Sequence, residues 1–262
     1  MTTSSRRVST SLFVSLGLVA VLSLTVVPGT PSANAAESPV GLGNAGSFAV
    51  LGAETVTNTG PTTVSGDLGV NAGSAVTGFP PGIVSNGTVH ITDTLSALAQ
   101  KDLVTAYNDA AGRTPTRTGL VALDGLTLTP GVYSGGALSL GGTLTLNGGA
   151  SDVFIFQASS TLITGSGSKV LLTGGASECN VFWQVASSAT LETGSAFVGT
   201  VMALTSVSAA TGATVSGRLL ARNGGVTLDN NKIIRPTSCS TSGAATPATP
   251  ATPVPGRARF TG

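Results

Sequence analysis

Two stretches of the chain are near copies of one another: Asp152-Val-Phe-Ile-Phe-Gln-Ala-Ser-Ser-Thr-Leu-Ile-Thr-Gly-Ser166 and Asn180-Val-Phe-Trp-Gln-Val-Ala-Ser-Ser-Ala-Thr-Leu-Glu-Thr-Gly-Ser195. A strand-forming unit repeated 28 residues downstream marks a chain that coils, because one such unit cannot bury its own apolar face and must stack on the next. A second pair, Thr193-Gly-Ser-Ala-Phe-Val-Gly199 and Thr211-Gly-Ala-Thr-Val-Ser-Gly217, lies 18 residues apart, as expected of successive single turns. The longer first spacing leaves room for an extra strand, so the period is expected to be imperfect.

Short segments elsewhere alternate Leu or Val with Thr or Ser: Thr55-Val-Thr, Thr63-Val-Ser, Leu126-Thr-Leu-Thr, Leu138-Ser-Leu and Thr143-Leu-Thr-Leu146. That is the pattern of half-buried strands, and 36 glycines supply the corners between them. Many short strands with few aromatics also fit a two-sheet sandwich; the repeats favour a solenoid filled by Leu, Val and Ala. One segment departs from this pattern. From Asp93 to Ala111, Leu95, Leu98, Ala99, Leu103, Ala106, Tyr107 and Ala110 recur at three- and four-residue steps. Asp93 or Thr94 is placed to cap the start and Gly112 to end it, giving an amphipathic helix of about five turns that must lie on the solenoid flank.

Residues 1–35 read as an export signal: Arg6 and Arg7, an apolar run from Leu12 to Val27, then Ala33-Asn34-Ala35. The folded domain is expected over 36–240, followed by a Pro/Thr/Ala-rich flexible tail, 241–262, in which Ala-Thr-Pro recurs from Ala245 to Pro253. Export implies an extracellular product, with the tail as a means of association with a cell wall. In that compartment Cys179 and Cys239 can form a single disulfide, and only one pairing exists.

Cleavage after residue 35 leaves ten basic against 11 acidic residues, a net charge of −1. Such a balance gives no electrostatic footprint for nucleic acid and no basic patch for a membrane. Only 9% of residues are charged, against roughly 25% in ordinary globular domains. Catalytic chemistry is equally sparse. His90, the one histidine, sits beside the helix start, and Glu54, Asp67, Asp124, Asp152, Glu178, Glu192 and Asp229 are scattered rather than paired as sugar hydrolysis requires. No catalytic residue, metal ligand set or cofactor is therefore expected. What is left is a neutral surface bearing ordered Thr and Ser. On strands, side chains of one face recur about every 6.8 Å and stacked coils about every 4.8 Å, a grid on which hydroxyls can fix water while methyls exclude it.

Several motifs, in order, resemble the microbial ice-binding (antifreeze) protein family. They are Leu42-Gly-Asn-Ala-Gly-Ser-Phe-Ala-Val-Leu51, Ser65-Gly-Asp-Leu-Gly-Val70, Gly78-Phe-Pro-Pro-Gly82, Ala106-Tyr-Asn-Asp-Ala-Ala-Gly112, Leu128-Thr-Pro-Gly-Val-Tyr133, the paired Val-Phe segments, and Gly217-Arg-Leu-Leu-Ala-Arg-Asn-Gly-Gly-Val-Thr-Leu-Asp-Asn230. The resemblance implies a mainly β fold, a discontinuous right-handed β-solenoid of triangular section with one long helix alongside. It also implies a monomer that adsorbs to an ice crystal and its ordered water through one flat Thr/Ser/Ala-rich face. Family members carry Thr-(Ala/Gly)-x-(Thr/Asn) on that face, which Thr211-Gly-Ala-Thr214 matches fully, Thr193-Gly-Ser-Ala196 partly and Thr164-Gly-Ser-Gly167 less well. The expected contact set is Thr211, Thr214, Thr193, Ser195, Thr164, Ser166, Thr63 and Ser65, with Glu192 as an unfavourable neighbour if it points outward. The competing expectation is an adhesin-like or biofilm-matrix module without ice activity.

Overall fold

The computed structural model describes residues 37–239. The expected export signal, 1–35, and the expected flexible tail, 241–262, lie outside the described residues. Within them the chain forms one 21-stranded, wholly parallel sheet wound into coils. Each coil contributes strands to three stacked faces, which gives the expected triangular β-solenoid with one long helix.

The stacking is discontinuous in sequence. The strand Phe48–Gly52 pairs with Asp67–Val70 on one side and with Thr214–Ala221 on the other. The first coil is thus sandwiched between the second and the last, so the chain must cross to the far end and build back. The helix Thr94–Gly112 makes that crossing. Its 19 residues cover about 28 Å, and the face beneath it runs from Val89–Ile91 to Arg117–Ala122 through eight strand spacings, or about 38 Å. The short segments flanking the helix supply the difference.

Helix placement follows from its sequence. Asp93 is the N-cap: its carboxylate accepts from Ser96 N at 2.8 Å while the Ser96 hydroxyl accepts from Asp93 N at 3.1 Å. Ala99, Leu103, Ala106, Tyr107 and Ala110 form the buried stripe, packed with Leu51, Val132, Ile155, Phe182, Met202 and Leu220 of the sheet. Leu98, expected in that stripe, is instead 43% exposed, because it falls beside the strip that meets the sheet. The far end is held by Gln157, whose Nε2 donates to the carbonyls of Ala110 and Arg113 at 2.8 Å each. This satisfies terminal helix carbonyls that would otherwise be orphaned.

Inside the coils lies a second core of Leu, Val and Ala, crossed by an aromatic ladder. Tyr133, Phe156, Trp183 and Phe197 stack at 5.4, 4.0 and 4.9 Å between successive ring centres. This ladder sets the register of the duplicated units. The eye aligns Phe154 with Phe182 at a spacing of 28, yet the sheet pairs Phe154 with Val181, Ile155 with Phe182 and Phe156 with Trp183, a spacing of 27. Since strand side chains alternate between faces, the slip of one decides which aromatics point inward. Phe156 and Trp183 go to the core, and Phe182 goes out to the helix.

The spacing of 18 is a true single turn, pairing Ala196 with Thr214 and Ala189 with Val207. Its corner is a lone glycine, Gly199 at φ +108°, stacked on Gly217, where a Cβ would lie 1.8 Å from the Gly199 carbonyl oxygen. The longer turn differs at this corner. It carries residues 174–180, a loop with a short 3-10 turn at Glu178–Asn180, rather than the extra strand its length led one to expect. Cys179 of this loop is disulfide-bonded to Cys239, 60 residues on.

Candidate functional site

One of the three faces is covered by the helix and by the segment preceding Phe48, leaving two open to solvent. Register places their outward side chains in straight files. On the first, which we call the threonine face, the central file runs Thr77, Thr57, Thr227, Ser208, Thr190, Ile163, Ser139, Ala122. Each of these is half-buried or exposed, and from Thr57 to Ser139 the residues before and after it are buried, as Val226 and Leu228 flank Thr227; at the end of the file Val121, before Ala122, is 65% exposed. Thr55 and Ala75 begin a parallel file on one side, and Thr59 and Asp229 one on the other. No charged residue stands in the central file.

The second open face carries a file of Ile83, Thr63, Lys232, Thr214, Ala196, Lys169 and Thr143. Beside it runs Ser85, Ser65, Ile234, Ser216, Val198, followed on the further coils by Leu171, Thr145 and Thr127. Two ammonium groups and several exposed aliphatic side chains interrupt its hydroxyls. We call it the lysine face.

The expected contact residues distribute over three environments. Thr63, Ser65 and Thr214 lie on the lysine face. Ser166, Thr193 and Thr211 are exposed at the corner joining the two open faces, where Gly167 N donates to Thr193 O and Gly194 N to Thr211 O. There the Thr211 hydroxyl is taken up by the Asp229 carboxylate. Thr164 and Ser195 are each only 1% exposed. Neither hydroxyl reaches an external surface: Thr164 accepts from Glu192 N at 2.9 Å inside the coil, and Ser195 is enclosed without a partner. The cause is the register described above. Matching Thr164-Gly-Ser to Thr193-Gly-Ser requires a spacing of 29, whereas stacking at 27 puts Ser166 beneath Thr193 and turns Thr164 inward. Glu192 is half-buried at the border of the threonine face, following inward-pointing Leu191.

The central file itself was open to detection. Ala189-Thr-Leu, Val207-Ser-Ala and Val226-Thr-Leu each put one hydroxyl between two apolar residues, at spacings of 18 and 19. The signal is three residues long in each coil and becomes specific only when the coils are stacked.

Side-chain hydrogen bonding separates the corner from the file. Ser139 donates to Val121 O at 3.3 Å; the hydroxyls of Thr57, Thr77, Thr190, Ser208 and Thr227 take no protein partner among the described residues and are left to water. An array of unspent hydroxyls and methyls at a spacing of about 4.8 Å can order water over an extended area without proton transfer or covalent chemistry.

Comparison with known proteins places this geometry. Residues 50–234 match the Ice-binding-like family. An ice-binding protein of Nostoc sp. (strain HG1) is 52% identical over 198 residues, covering 73% of this chain and 72% of the relative. One from Colwellia sp. is 41% identical over 214 residues, covering 76% and 84% respectively. The crystal structure of an ice-binding protein from an Antarctic biological consortium superposes with a TM-score of 0.75 at 46% identity, over 80% of this chain and 96% of that one. That of the Antarctic ascomycete Antarctomyces psychrotrophicus gives 0.74 at 41%, over 77% and 100%. On the matched span, the identity and the shared coil architecture, the chain belongs to the Ice-binding-like family.

Proposed function

We propose that this chain is a secreted, non-enzymatic protein that adsorbs to ice through the threonine face and so inhibits ice growth and recrystallisation. The observation that carries this reading is the uncharged central file, Thr77 to Ser139, presented in register by seven stacked strands. On six of the seven strands, all but that of Ile163, a hydroxyl can anchor one water, and where it belongs to Thr the γ-methyl holds off others, which favours an ordered layer over ordinary hydration. Family membership and the names of the relatives support ice as the partner. The leader in residues 1–35 supports export, and the scattered carboxylates support a role without turnover.

We assign the contact plane to Thr57, Thr77, Thr190, Ser208 and Thr227, with Thr55, Thr59 and Ser139 at its margins. Ser166, Thr193 and Thr211 then form its border, and Thr63, Ser65 and Thr214 lie on the adjoining face. Ice-affinity partitioning and thermal hysteresis of the mature domain test the function: wild type enters the ice and slows its growth, and Thr190→Tyr, whose ring projects from the middle of the file, does not. A wild-type protein excluded from ice would overturn the function. Equal activity of wild type and Thr190→Tyr would move the contact plane elsewhere.

A further inference from the structure

Away from both open faces, a cavity of about 590 Å³ lies between the segment preceding Phe48 and the disulfide. Val40, Leu42 and Phe182 supply its apolar wall, and Arg218 and Arg235 its charge; among the described residues no carboxylate lines it. Arg218 is out of place by pattern. It continues the outward file Val132, Ile155, Phe182, Thr200 on the covered side of the sheet, where its neighbours are apolar or small. Yet the residue is only 3% exposed.

Part of this arginine has a structural use. Its Nε donates to Gly46 O at 3.1 Å, pinning the leading segment to the sheet, and its Nη1 approaches the Thr200 hydroxyl at 3.3 Å. The remaining donors are unspent. Arg235 is still less satisfied: its Nε is buried with no partner, and its Nη1 reaches only Pro236 O, at 3.5 Å. Among the described residues neither guanidinium pairs with a carboxylate. Burial, and then the nearby Arg235 charge, pulls the Arg218 pKa down to about 10, as expected of a cation enclosed without a counter-ion. Two like charges facing one enclosure repel each other, and a bound anion would convert that repulsion into charge-assisted hydrogen bonds.

We propose that the cavity between the leading segment and the disulfide is a binding site for a compact oxyanion, held by the unspent donors of Arg218 and Arg235. The ligand class is one with two or more acceptor oxygens on a small centre, which phosphate, sulfate and carboxylates share. Binding there ties the leading segment to the last coil, so its effect falls on stability, and the site is independent of the threonine face.

The test is thermal unfolding of the mature domain in increasing inorganic phosphate, sulfate or citrate, at ionic strength held constant with sodium chloride. The expected result is a rise in Tm that saturates, with binding weakened about tenfold or more in Arg235→Gln. Amide shifts in an NMR titration should be confined to Gly46, Phe182 and their neighbours. The anion that saturates at the lowest concentration distinguishes an inorganic oxyanion from a carboxylate. Arg218→Met extends the test if it folds; Arg235→Gln, which leaves the Gly46 clamp intact, suffices if it does not. A rise that is linear in anion concentration and equal in wild type and Arg235→Gln would be general salt stabilisation and would overturn the proposal, as would no rise at all.

Discussion

The threonine and lysine faces are sides of the same coils and share one interior. Val56, Val226 and Val207 point inward from the first as Val64, Ile233 and Val215 do from the second, all within one core. Outward, the first shows Thr77, Thr57, Thr227, Ser208 and Thr190, and the second shows Lys232, Lys169, Ile234 and Leu171 in comparable positions. The core therefore does not explain the outward chemistry. A strand folds equally well with Thr or Lys on its solvated side, since both avoid burial there. Keeping charge out of one file and admitting it to the other is what the proposed contact of the threonine face with ice requires.

The sharpest way to break this comparison is to place the same bulky residue on each face. Thr190→Tyr is expected to remove most thermal hysteresis, and Thr214→Tyr to leave most of it, with the stability of both within about 0.5 kcal/mol of wild type by urea unfolding. The reverse outcome would make the lysine face the contact plane. Next in size is the border. Glu192→Thr removes a charge that organises its own hydration beside the central file, and should raise hysteresis and slow recrystallisation further; a fall would show that the carboxylate belongs to the contact. Replacing Lys169 and Lys232 by Thr together should change hysteresis less than either of these, because the proposed contact plane lies on the other face.

Two smaller effects probe the parts that support both faces. Asp93 is held down to about pKa 2, first by the Ser96 backbone N–H and then by His90, from an ordinary 3.8. A carboxylate with a lowered folded pKa contributes stability that is complete above its unfolded pKa and lost as pH falls through the folded value. Melting temperature should therefore decline between about pH 4 and pH 2, and Asp93→Asn should flatten that decline. Last, Ser195→Ala should leave hysteresis unchanged and stability within about 1 kcal/mol, since its enclosed hydroxyl has no partner to lose. A loss of ice activity in this variant would mean that Ser195 is reachable after all.

Much of the fold is legible in the residues. The repeats announce coils, Thr-Leu alternation announces half-buried strands, and Asp93 and Gly112 bracket the helix Thr94–Gly112. The candidate site was far less so. Thr164 and Thr193 look equivalent because each precedes Gly-Ser, yet one faces the core and the other a corner. Local similarity cannot reveal this, because the long turns place additional residues at one corner and so change the offset at which strands stack.

Strand, corner and helix are properties of local chain chemistry: side-chain alternation, glycine's backbone freedom and a capping carboxylate act over a few residues. They already require a neutral, Thr-rich coil with one helix lying on it. Which hydroxyls form a plane is a different kind of fact. It depends on parallel pairing between residues 18 to 27 apart on successive coils and 170 apart where Thr57 meets Thr227, and on the helix and the leading segment closing one of three faces. A register change of a single residue exchanges inside for outside along a whole strand, so only the stacked molecule separates the Thr57 to Thr227 file from the buried Thr164 and Ser195.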